Sequence, residues 1–244
     1  MPRFFLPSDT PIGDSLVLTG EPAAHARVLR LRPGDNIVVC DGRVTDYPCK
    51  VVECTPDRLV LEVLEHRPSE SEPRLRVTVY MAYAKSDKFE HVIQKATELG
   101  AAELVAFPSA RCVSRPDGKS LGKKLERWQK IAASAAEQSG RGCIPVVRTV
   151  ASMEAAVAEA SEKEFSALLY ENEQDTTFRS RIGSGTFSTA AIMTGPEGGF
   201  EPSEVQAAAE AGMFVCTLGP RILRCETAPL CALTALMFAC GELD

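Results

Sequence analysis

The sequence lacks any apolar run of the length that crosses a membrane, about 18 residues, and this excludes a membrane-spanning helix. Its first residues, Met-Pro-Arg-Phe-Phe-Leu-Pro, lack a signal-peptide core and a small-residue cleavage site, so we expect a cytoplasmic protein. Only three histidines occur, far apart, and there is no Cys-x-x-Cys pair, so we expect no metal site. The nine cysteines are an odd number, mostly within apolar stretches, and we expect reduced thiols.

The charge and size of the chain limit its class. The net charge is -6, which argues against a general polyanion binder, so any surface for nucleic acid must be local. Hydrophobic residues make up 45% and charged residues 25% of the sequence, which is ordinary for a globular protein and excludes general disorder. With 244 residues, the chain suits one large domain or two small ones.

Residues 1–70 carry short β-type segments separated by turns. A helix is predicted at 23–31, with His25, Val28 and Leu29 at helical spacing. Several short strands and one helix predict a small barrel, followed by a polar linker over 66–73. The predicted strands cover 16–18, 36–40 and 59–64, and the turns are Pro33-Gly34-Asp35 and Asp41-Gly42.

Residues 74–244 alternate between strand and helix patterns, which predicts a mostly parallel sheet covered on both faces. Asp87 and Glu90 resemble a capping box at the start of the first helix, and Gly100 is placed to end it. The predicted strands cover 75–84, 104–107, 165–170, 190–194 and 214–218. The predicted helices cover 89–99, 121–138, 201–211 and 226–240.

Two strand ends carry unusual residues, and ligands of open α/β sheets bind beyond such ends. The segment from Thr194 to Phe200 holds three glycines and a proline, which lets backbone approach a ligand closely, although a plain turn is the alternative. The segment from Leu218 to Ala228 holds Arg221 and Arg224 just before a helix, where the dipole disfavours cations. Neither segment fits a dinucleotide or phosphate-loop fingerprint.

The stretch between Arg111 and Arg148 is locally basic, with nine basic residues against three acidic ones. Such a concentration is typical of a surface that binds a phosphate backbone, and a solvated helix face is the alternative. The basic residues are Arg111, Arg115, Lys119, Lys123, Lys124, Arg127, Lys130, Arg141 and Arg148.

These motifs together resemble the RsmE family, the 16S ribosomal RNA uridine N3-methyltransferases of the SPOUT superfamily. The departures are Gly140 and Gly142 around Arg141, and Pro229. The matching segments are Arg3-Phe4-Phe5, 25–30, Gly34-Asp35, Asp41-Gly42, 85–100, 137–141, 195–200 and 218–228.

The resemblance implies a PUA-like β-barrel domain over 1–70 that helps to hold RNA, and an α/β methyltransferase domain over 74–244 with a C-terminal trefoil knot. It implies S-adenosylmethionine as cofactor, a homodimer, and the 16S rRNA of the small ribosomal subunit as partner, with no membrane or DNA partner. The implied cofactor-binding residues are Thr194, Gly195, Pro196, Glu197, Gly198, Gly199, Leu218, Gly219, Ile222, Leu223, Thr227 and Ala228.

Methylation of uracil N3 requires the N3 proton to leave and the anion to be stabilised. We expect Arg224 or Arg221 to stabilise the anion, and Glu226 or Glu98 to accept the proton. The residues expected to hold RNA are Arg3, Arg30, Lys85, Arg111, Arg115, Lys123, Lys124 and Arg141.

Three alternatives to this function remain open at this point. The first is another SPOUT specificity such as ribose 2′-O methylation, because cofactor loops alone do not choose the acceptor atom. The second is a non-catalytic RNA-binding factor in ribosome assembly, against which the intact Arg224 and Glu226 argue. The third, a nucleotide-phosphate enzyme, lacks any phosphate fingerprint.

Overall fold

The computed structural model describes residues 1–6, 10–85, 87–116 and 118–243, apart from the side chain of Lys119. The chain divides into two compact units. The first comprises Met1–Glu72 with Ala136–Ile144, and the second comprises Pro73–Ala135 with Pro145–Asp244. Within the described ranges, no helix is long and apolar enough to cross a membrane.

The first unit is built on a mixed sheet of six strands with one helix. The sheet order is β1-β3-β4-β5-β2, with β6 paired to β4, and only the β1–β3 pair is parallel. The elements are β1 Arg3–Phe5, β2 Ser15–Thr19, α1 Glu21–Val28, β3 Asn36–Cys40, β4 Thr45–Cys54, β5 Arg58–Val63 and β6 Arg67–Pro68. The three predicted strands are present, whereas β1, β4 and β6 were not predicted.

The core of the first unit comes from alternating residues of these strands. Leu16 and Leu18 of β2 point inward with Leu59 and Leu61 of β5, as the period of two requires. In α1 the buried residues are Ala23 and Ala26. The predicted helix over 23–31 is present, but it begins at Glu21 and ends at Val28, and Val28 and Leu29 lie outside the core, 79% and 42% exposed.

A second part of the chain completes the first unit at residues 136–144. Arg141 is buried and its guanidinium binds both oxygens of Glu72, at 2.7 and 3.2 Å. The same carboxylate accepts the amides of Gly142 and Cys143. The segment 66–73 is therefore no plain linker, because it contributes β6 and an anchoring carboxylate.

The second unit is a parallel six-stranded sheet with helices between the strands. Its order is β12-β10-β11-β7-β8-β9, and every pair is parallel, as predicted. The strands are β7 Arg76–Ala82, β8 Glu103–Phe107, β9 Val146–Thr149, β10 Phe165–Leu169, β11 Thr189–Thr194 and β12 Phe214–Cys216. The helices are α2 Lys88–Glu98, α3 Gly118–Ser139, α4 Met153–Ser161, α5 Phe178–Ile182, α6 Pro202–Glu210 and α7 Thr227–Ala239.

Both faces of this sheet are covered. Helices α4 and α6 pack together on one face, where Tyr80, Phe107 and Phe200 lie in the core. Helices α2, α5 and α7 pack together, with α7 against β7 and β11. Strand β7 is consequently buried on both faces, which is typical of parallel sheets.

The ends of the elements follow from local chemistry. Gly100 ends α2 with φ +93°, and a Cβ there would overlap the ring of Pro73. The predicted capping box at the start of α2 is wrong, because Asp87 makes no side-chain cap and Glu90 binds Arg127. A true capping box is present at Glu201 and Glu204, which start α6.

All nine cysteines lie among the described residues, and none of them forms a disulfide bond. Cys40, Cys49 and Cys216 are buried, and burial raises the pKa of each thiol to about 11. Cys231 is exposed because it lies on the outer side of α7.

Candidate functional site

A pocket of about 980 Å³ lies at the carboxyl ends of three adjacent strands of the second unit. These strands are β12, β10 and β11, which are neighbours in the sheet order although not in the chain. Residues from the loops that follow them, within 217–225, 170–177 and 194–199, form its walls. The pocket therefore has the position that ligands take in open α/β sheets.

The glycine loop after β11 presents its backbone to the pocket. Gly199 has φ +68°, and a Cβ at this residue would overlap the carboxylate of Glu171. Gly195 packs so closely that a Cβ would meet the backbone of Gly199 at 3.2 Å. The backbone conformation of Gly199 therefore favours glycine, and Gly195 leaves little room for a side chain, so the pocket wall here is main chain.

The loop after β12 brings two arginines to the pocket. The carbonyl of Arg224 accepts the amides of Thr227 at 2.8 Å and Ala228 at 3.0 Å, which fixes the backbone of Arg224 at the start of α7. The side chains of Arg221 and Arg224 are exposed and line the pocket. Within the described ranges, neither guanidinium has an ion-pair partner, so both are free to bind a ligand.

A third loop was missed by sequence reasoning. Strand β10 was predicted, but the pocket is also lined by Tyr170, Glu171, Glu173, Gln174 and Thr177, which follow it. Thr177 is bridged to Thr217, so the loops after β10 and β12 are joined. The sequence did carry a signal for this loop, namely the polar residues that directly follow a buried strand. The rule that ligands bind beyond strand ends, which had singled out the other two loops, applies to it equally.

Lys88 is a second missed residue of the pocket. Its Nζ lies 3.3 Å from Glu197 Oε1 and 3.3 Å from Glu226 Oε2. It also lies 3.6 Å from the Sγ of Cys225. Lys88 is the first residue of α2, which follows β7, and β7 is the neighbour of β11 in the sheet. Only that strand order brings it to the loops.

These contacts act on the two carboxylates. Burial by itself raises the pKa of Glu197, but hydrogen bonds from the amide of Lys85 and from Lys88 prevail and lower it. The pKa of Glu226 is lowered in the same way, because its own amide, Cys225 and Lys88 outweigh the effect of burial. Both carboxylates are therefore ionised at neutral pH, while burial raises the pKa of Cys225 to about 11 and keeps it a thiol.

Most residues predicted to bind the cofactor meet in this pocket. Thr227, predicted to bind the cofactor, lines instead a neighbouring groove on α7 with His91 and Phe238. Glu226, predicted to accept the proton, lines the same groove. The residues that line the pocket itself are Thr194, Gly195, Pro196, Glu197, Gly198, Gly199, Leu218, Gly219, Ile222, Leu223 and Ala228.

The structure does not bring Glu98 to the pocket. Glu98 is the last residue of α2, ten residues beyond Lys88, which is about 15 Å along the helix. Its carboxylate binds Lys95 at 2.8 Å. The prediction that Glu98 accepts a proton at the site is therefore withdrawn.

The basic stretch is largely neutralised by carboxylates from other parts of the chain. Among its arginines, Arg111 pairs with Glu201, Arg127 with Glu90, Arg141 with Glu72, and Arg148 with Glu103 and Glu159. Asp117 and the side chain of Lys119 lie outside the described residues.

Two predicted RNA contacts are corrected by their burial. Arg3 binds Asp46 at 2.6 and 2.7 Å with a side chain only 10% exposed. Arg141 is 4% exposed in its pair with Glu72. Neither guanidinium reaches the surface, so both hold the first unit together instead of meeting phosphates.

Arg111 and Arg115 are exposed but already engaged. Arg111 donates to the carbonyl of Gly198 at 3.0 Å in addition to its pair with Glu201, and so braces the glycine loop. Arg115 donates to the carbonyl of Ser109 at 2.7 Å. The remaining predicted RNA contacts, Arg30, Lys85, Lys123 and Lys124, have exposed side chains.

Two family models match the chain. One, described as RNA methyltransferase domain, covers residues 70–237. The other, described as RNA methyltransferase PUA domain, covers residues 18–64. The chain thus has the two domains of an RNA methyltransferase. One is the parallel α/β unit, in which the glycine and arginine loops line a pocket, and the other is a PUA-type unit.

Curated relatives narrow the class. Proteins named ribosomal RNA small subunit methyltransferase E are 36% identical in Bacillus subtilis (91% of this chain, 89% of the relative) and 36% identical in Mycobacterium bovis (96% and 90%). The crystal structure of such a protein from Neisseria gonorrhoeae bound to S-adenosyl methionine is 33% identical, with a TM-score of 0.87 over 98% of this chain and 97% of the other. The chain belongs to the ribosomal RNA small subunit methyltransferase E family, RsmE.

Proposed function

We propose that the protein transfers a methyl group from S-adenosylmethionine to N3 of a uridine in the 16S rRNA of the small ribosomal subunit. The observation that supports this most directly is the pocket in which a glycine backbone wall faces two arginines without ion-pair partners among the described residues. Membership of the RsmE family supplies the cofactor and the class of reaction.

The residues of the pocket fit the cofactor. Its volume, about 980 Å³, is in the range of sites for small molecules, about 300–1,000 Å³. Glycine backbone, apolar Leu223 and the carboxylates of Glu171 and Glu173 line it, which suits a cationic ligand with a flat aromatic part. When bound, the cofactor supplies an electrophilic methyl group, and Gly195, Gly199 and Gly219 would hold it mainly by backbone contacts.

Arg224 and Arg221 would stabilise the uracil anion. The N3 proton must leave before or during attack, and negative charge then develops on the uracil oxygens. A guanidinium fixed near those oxygens can contribute about 3 kcal/mol to the transition state. Arg224 is the better placed of the two, because its backbone is fixed by the first amides of α7 while its side chain stays free.

Glu226 remains our candidate for the proton acceptor, because it adjoins the pocket through Lys88, 3.3 Å away, while its own side chain lines the neighbouring groove on α7. It is ionised at neutral pH, since its pKa is lowered, and so it has an acceptor oxygen available. Its lowered pKa makes it a weak base, so its contribution should fall towards or below the lower end of the roughly 10²–10⁴-fold that general bases supply. The anion-stabilising arginines would therefore supply a large part of the acceleration.

N3 lies on the pairing edge of uracil, so the target must be unpaired or turned out of its helix. RNA enzymes reach such bases in loops or splayed strands. The exposed Lys85, Lys123 and Lys124 of the second unit would hold the phosphates around it. The exposed Arg30 is a separate candidate for an RNA contact on the first unit. A small-subunit substrate implies that the enzyme acts in the cytoplasm.

The family resemblance also leads us to propose a trefoil knot and a homodimer. Helix α7 is apolar around its circumference, and such helices are usually buried. Phe238 is nevertheless 67% exposed beside Leu230 and Leu243, in the groove that also contains Glu226. A second copy covering this groove would bury it next to the site. Sedimentation of the wild type and of Phe238→Glu tests this, and a monomeric wild type would refute it.

Methyl transfer from labelled S-adenosylmethionine to small subunits from cells without this activity tests the proposed reaction. The product is digested to nucleosides and separated by mass spectrometry. We expect 3-methyluridine. Label on a ribose would support the proposed cofactor but refute N3 as the acceptor atom. If no methyl group is transferred and calorimetry shows no cofactor binding, the protein is a non-catalytic RNA-binding factor instead.

A further inference from the structure

We propose that Lys88 is a positioning residue that joins the two loops of the pocket, by placing one positive charge between a carboxylate from each. The inference rests on the proposed function in one respect, namely that these loops bind the cofactor. Lys88 is the first residue of α2, where the helix dipole disfavours a cation. Its position therefore has to be explained by what its ammonium group contacts.

The ammonium of Lys88 is the meeting point of three segments. Glu197 belongs to the glycine loop after β11, and Glu226 ends the arginine loop after β12. Each places a carboxylate oxygen 3.3 Å from Nζ. The two carboxylates share a single cation and keep a net negative charge. Without that cation they would repel each other across the junction of the loops.

The other contacts of this cluster do not replace the charge of Lys88. The Cys225 thiol donates to Glu226 at 3.3 Å, and the amide of Lys85 donates to Glu197 at 3.0 Å, but both groups are neutral. Helix α2 itself is held by Phe89, Val92 and Ile93 in the core. Lys88 has a side chain 24% exposed, so replacing it removes the charge while the apolar packing of α2 remains.

Hydrogen exchange of the cofactor-free full chain tests the inference. The variants are Lys88→Met, which removes the charge, Lys88→Arg, which keeps it, and Lys88→Met with Glu197→Gln, which removes one charge of each sign. We expect Lys88→Met to speed exchange about tenfold in both 195–200 and 217–226, since charged hydrogen bonds are lost. A peptide from β10 serves as the internal reference for intact folding. The Arg variant and the double variant should return towards wild type.

Three results would overturn the inference: unchanged exchange in Lys88→Met, faster exchange in only one of the two loops, or no rescue by either the Arg or the double variant. A calorimetric titration with S-adenosylmethionine then links the loops to binding, and Lys88→Met should bind about tenfold more weakly if the loops open as expected. If the wild type binds no S-adenosylmethionine, the proposed function fails, whereas the exchange data still decide the role of Lys88.

Discussion

The basic stretch 111–148 and the loop 217–226 both contain clustered arginines, but the two groups differ in whether they form ion pairs. In the stretch, Arg111, Arg127, Arg141 and Arg148 each bind a carboxylate that lies between 11 and 90 residues away in the chain. In the loop, Arg221 and Arg224 have no ion-pair partner among the described residues. An excess of charge in the sequence is therefore not the same as a charged surface.

The difference teaches how to recognise an arginine with a function. A guanidinium satisfied inside the protein contributes to structure, because moving it towards a ligand would leave a buried carboxylate unpaired. A free guanidinium next to a pocket has no such cost and can bind an anion. Five predictions test this contrast and the pocket that the free arginines line, beginning with the largest expected effect.

Arg141→Ala should destabilise the first unit by about 3–5 kcal/mol, because it leaves the buried carboxylate of Glu72 without its cation. Urea unfolding measures this. The matched control is Arg127→Ala, whose pair with Glu90 is largely exposed at Arg127 and should contribute less than about 1 kcal/mol. Equal effects of the two variants would break the contrast between buried and exposed pairs.

Arg224→Ala should reduce kcat by about 10²-fold or more while leaving the melting temperature and cofactor affinity close to wild type. The reason is that Arg224 has no described ion pair to lose and acts only where charge develops. Single-turnover methyl transfer and calorimetry measure both quantities. Near-normal turnover would remove Arg224 from the chemistry, and Arg221→Ala in parallel would show whether its neighbour acts instead.

Gly199→Ala should weaken cofactor binding about tenfold, because a left-handed backbone costs an alanine roughly 1–2 kcal/mol and its Cβ would overlap Glu171. Gly212→Ala is the matched control. Gly212 also has a positive φ, +92°, but a Cβ there meets nothing within 4 Å and it lies away from the pocket. The control should lose stability without losing cofactor affinity. Equal cofactor affinities of Gly199→Ala and Gly212→Ala would show that the backbone at Gly199 does not contribute to cofactor binding.

Lys123→Ala with Lys124→Ala should lower the slope of log K for RNA against log salt by about one to two units, as expected for two phosphate contacts. Arg127→Ala should change the slope less, because its charge is already balanced by Glu90. Filter binding to a small-subunit RNA fragment over a salt series measures the slopes. An unchanged slope in the double variant would assign these lysines to a solvated helix face.

Cofactor affinity should be constant between about pH 8 and pH 6 and fall below the ordinary glutamate pKa of 4.5. Glu197 and Glu226 have lowered pKa values in the folded protein, so both carboxylates stay ionised and paired with Lys88 at pH 6 to 8. Each carboxylate loses its charge, and its ion pair with Lys88, only as the pH falls through its lowered pKa. Calorimetry across this range measures it, and a loss of affinity already at pH 6 would contradict the direction of these shifts.

The sequence by itself was sufficient for the elements with strong local signals. Helices α6 and α7 and strands β3, β10 and β11 lie within one or two residues of prediction, because apolar runs and periodic faces are properties of neighbouring residues. The glycine and arginine loops were also recognised, since glycine content and cations before a helix are visible without a fold. Strands β4, β6 and β9 were missed. Helix α4 was missed as well, although Met153, Ala156, Val157 and Ala160 stand at helical spacing in its sequence.

Tertiary structure alone decided which of these parts meet. The order β12-β10-β11-β7 brings the loop 170–177 and Lys88 to the pocket, and leaves Glu98 at the far end of α2. The fold also gave Arg3 and Arg141 their carboxylates and returned residues 136–144 to the first unit. The physical reason is that local structure depends on neighbours in the chain, whereas ion pairing and strand order depend on residues that only folding brings together.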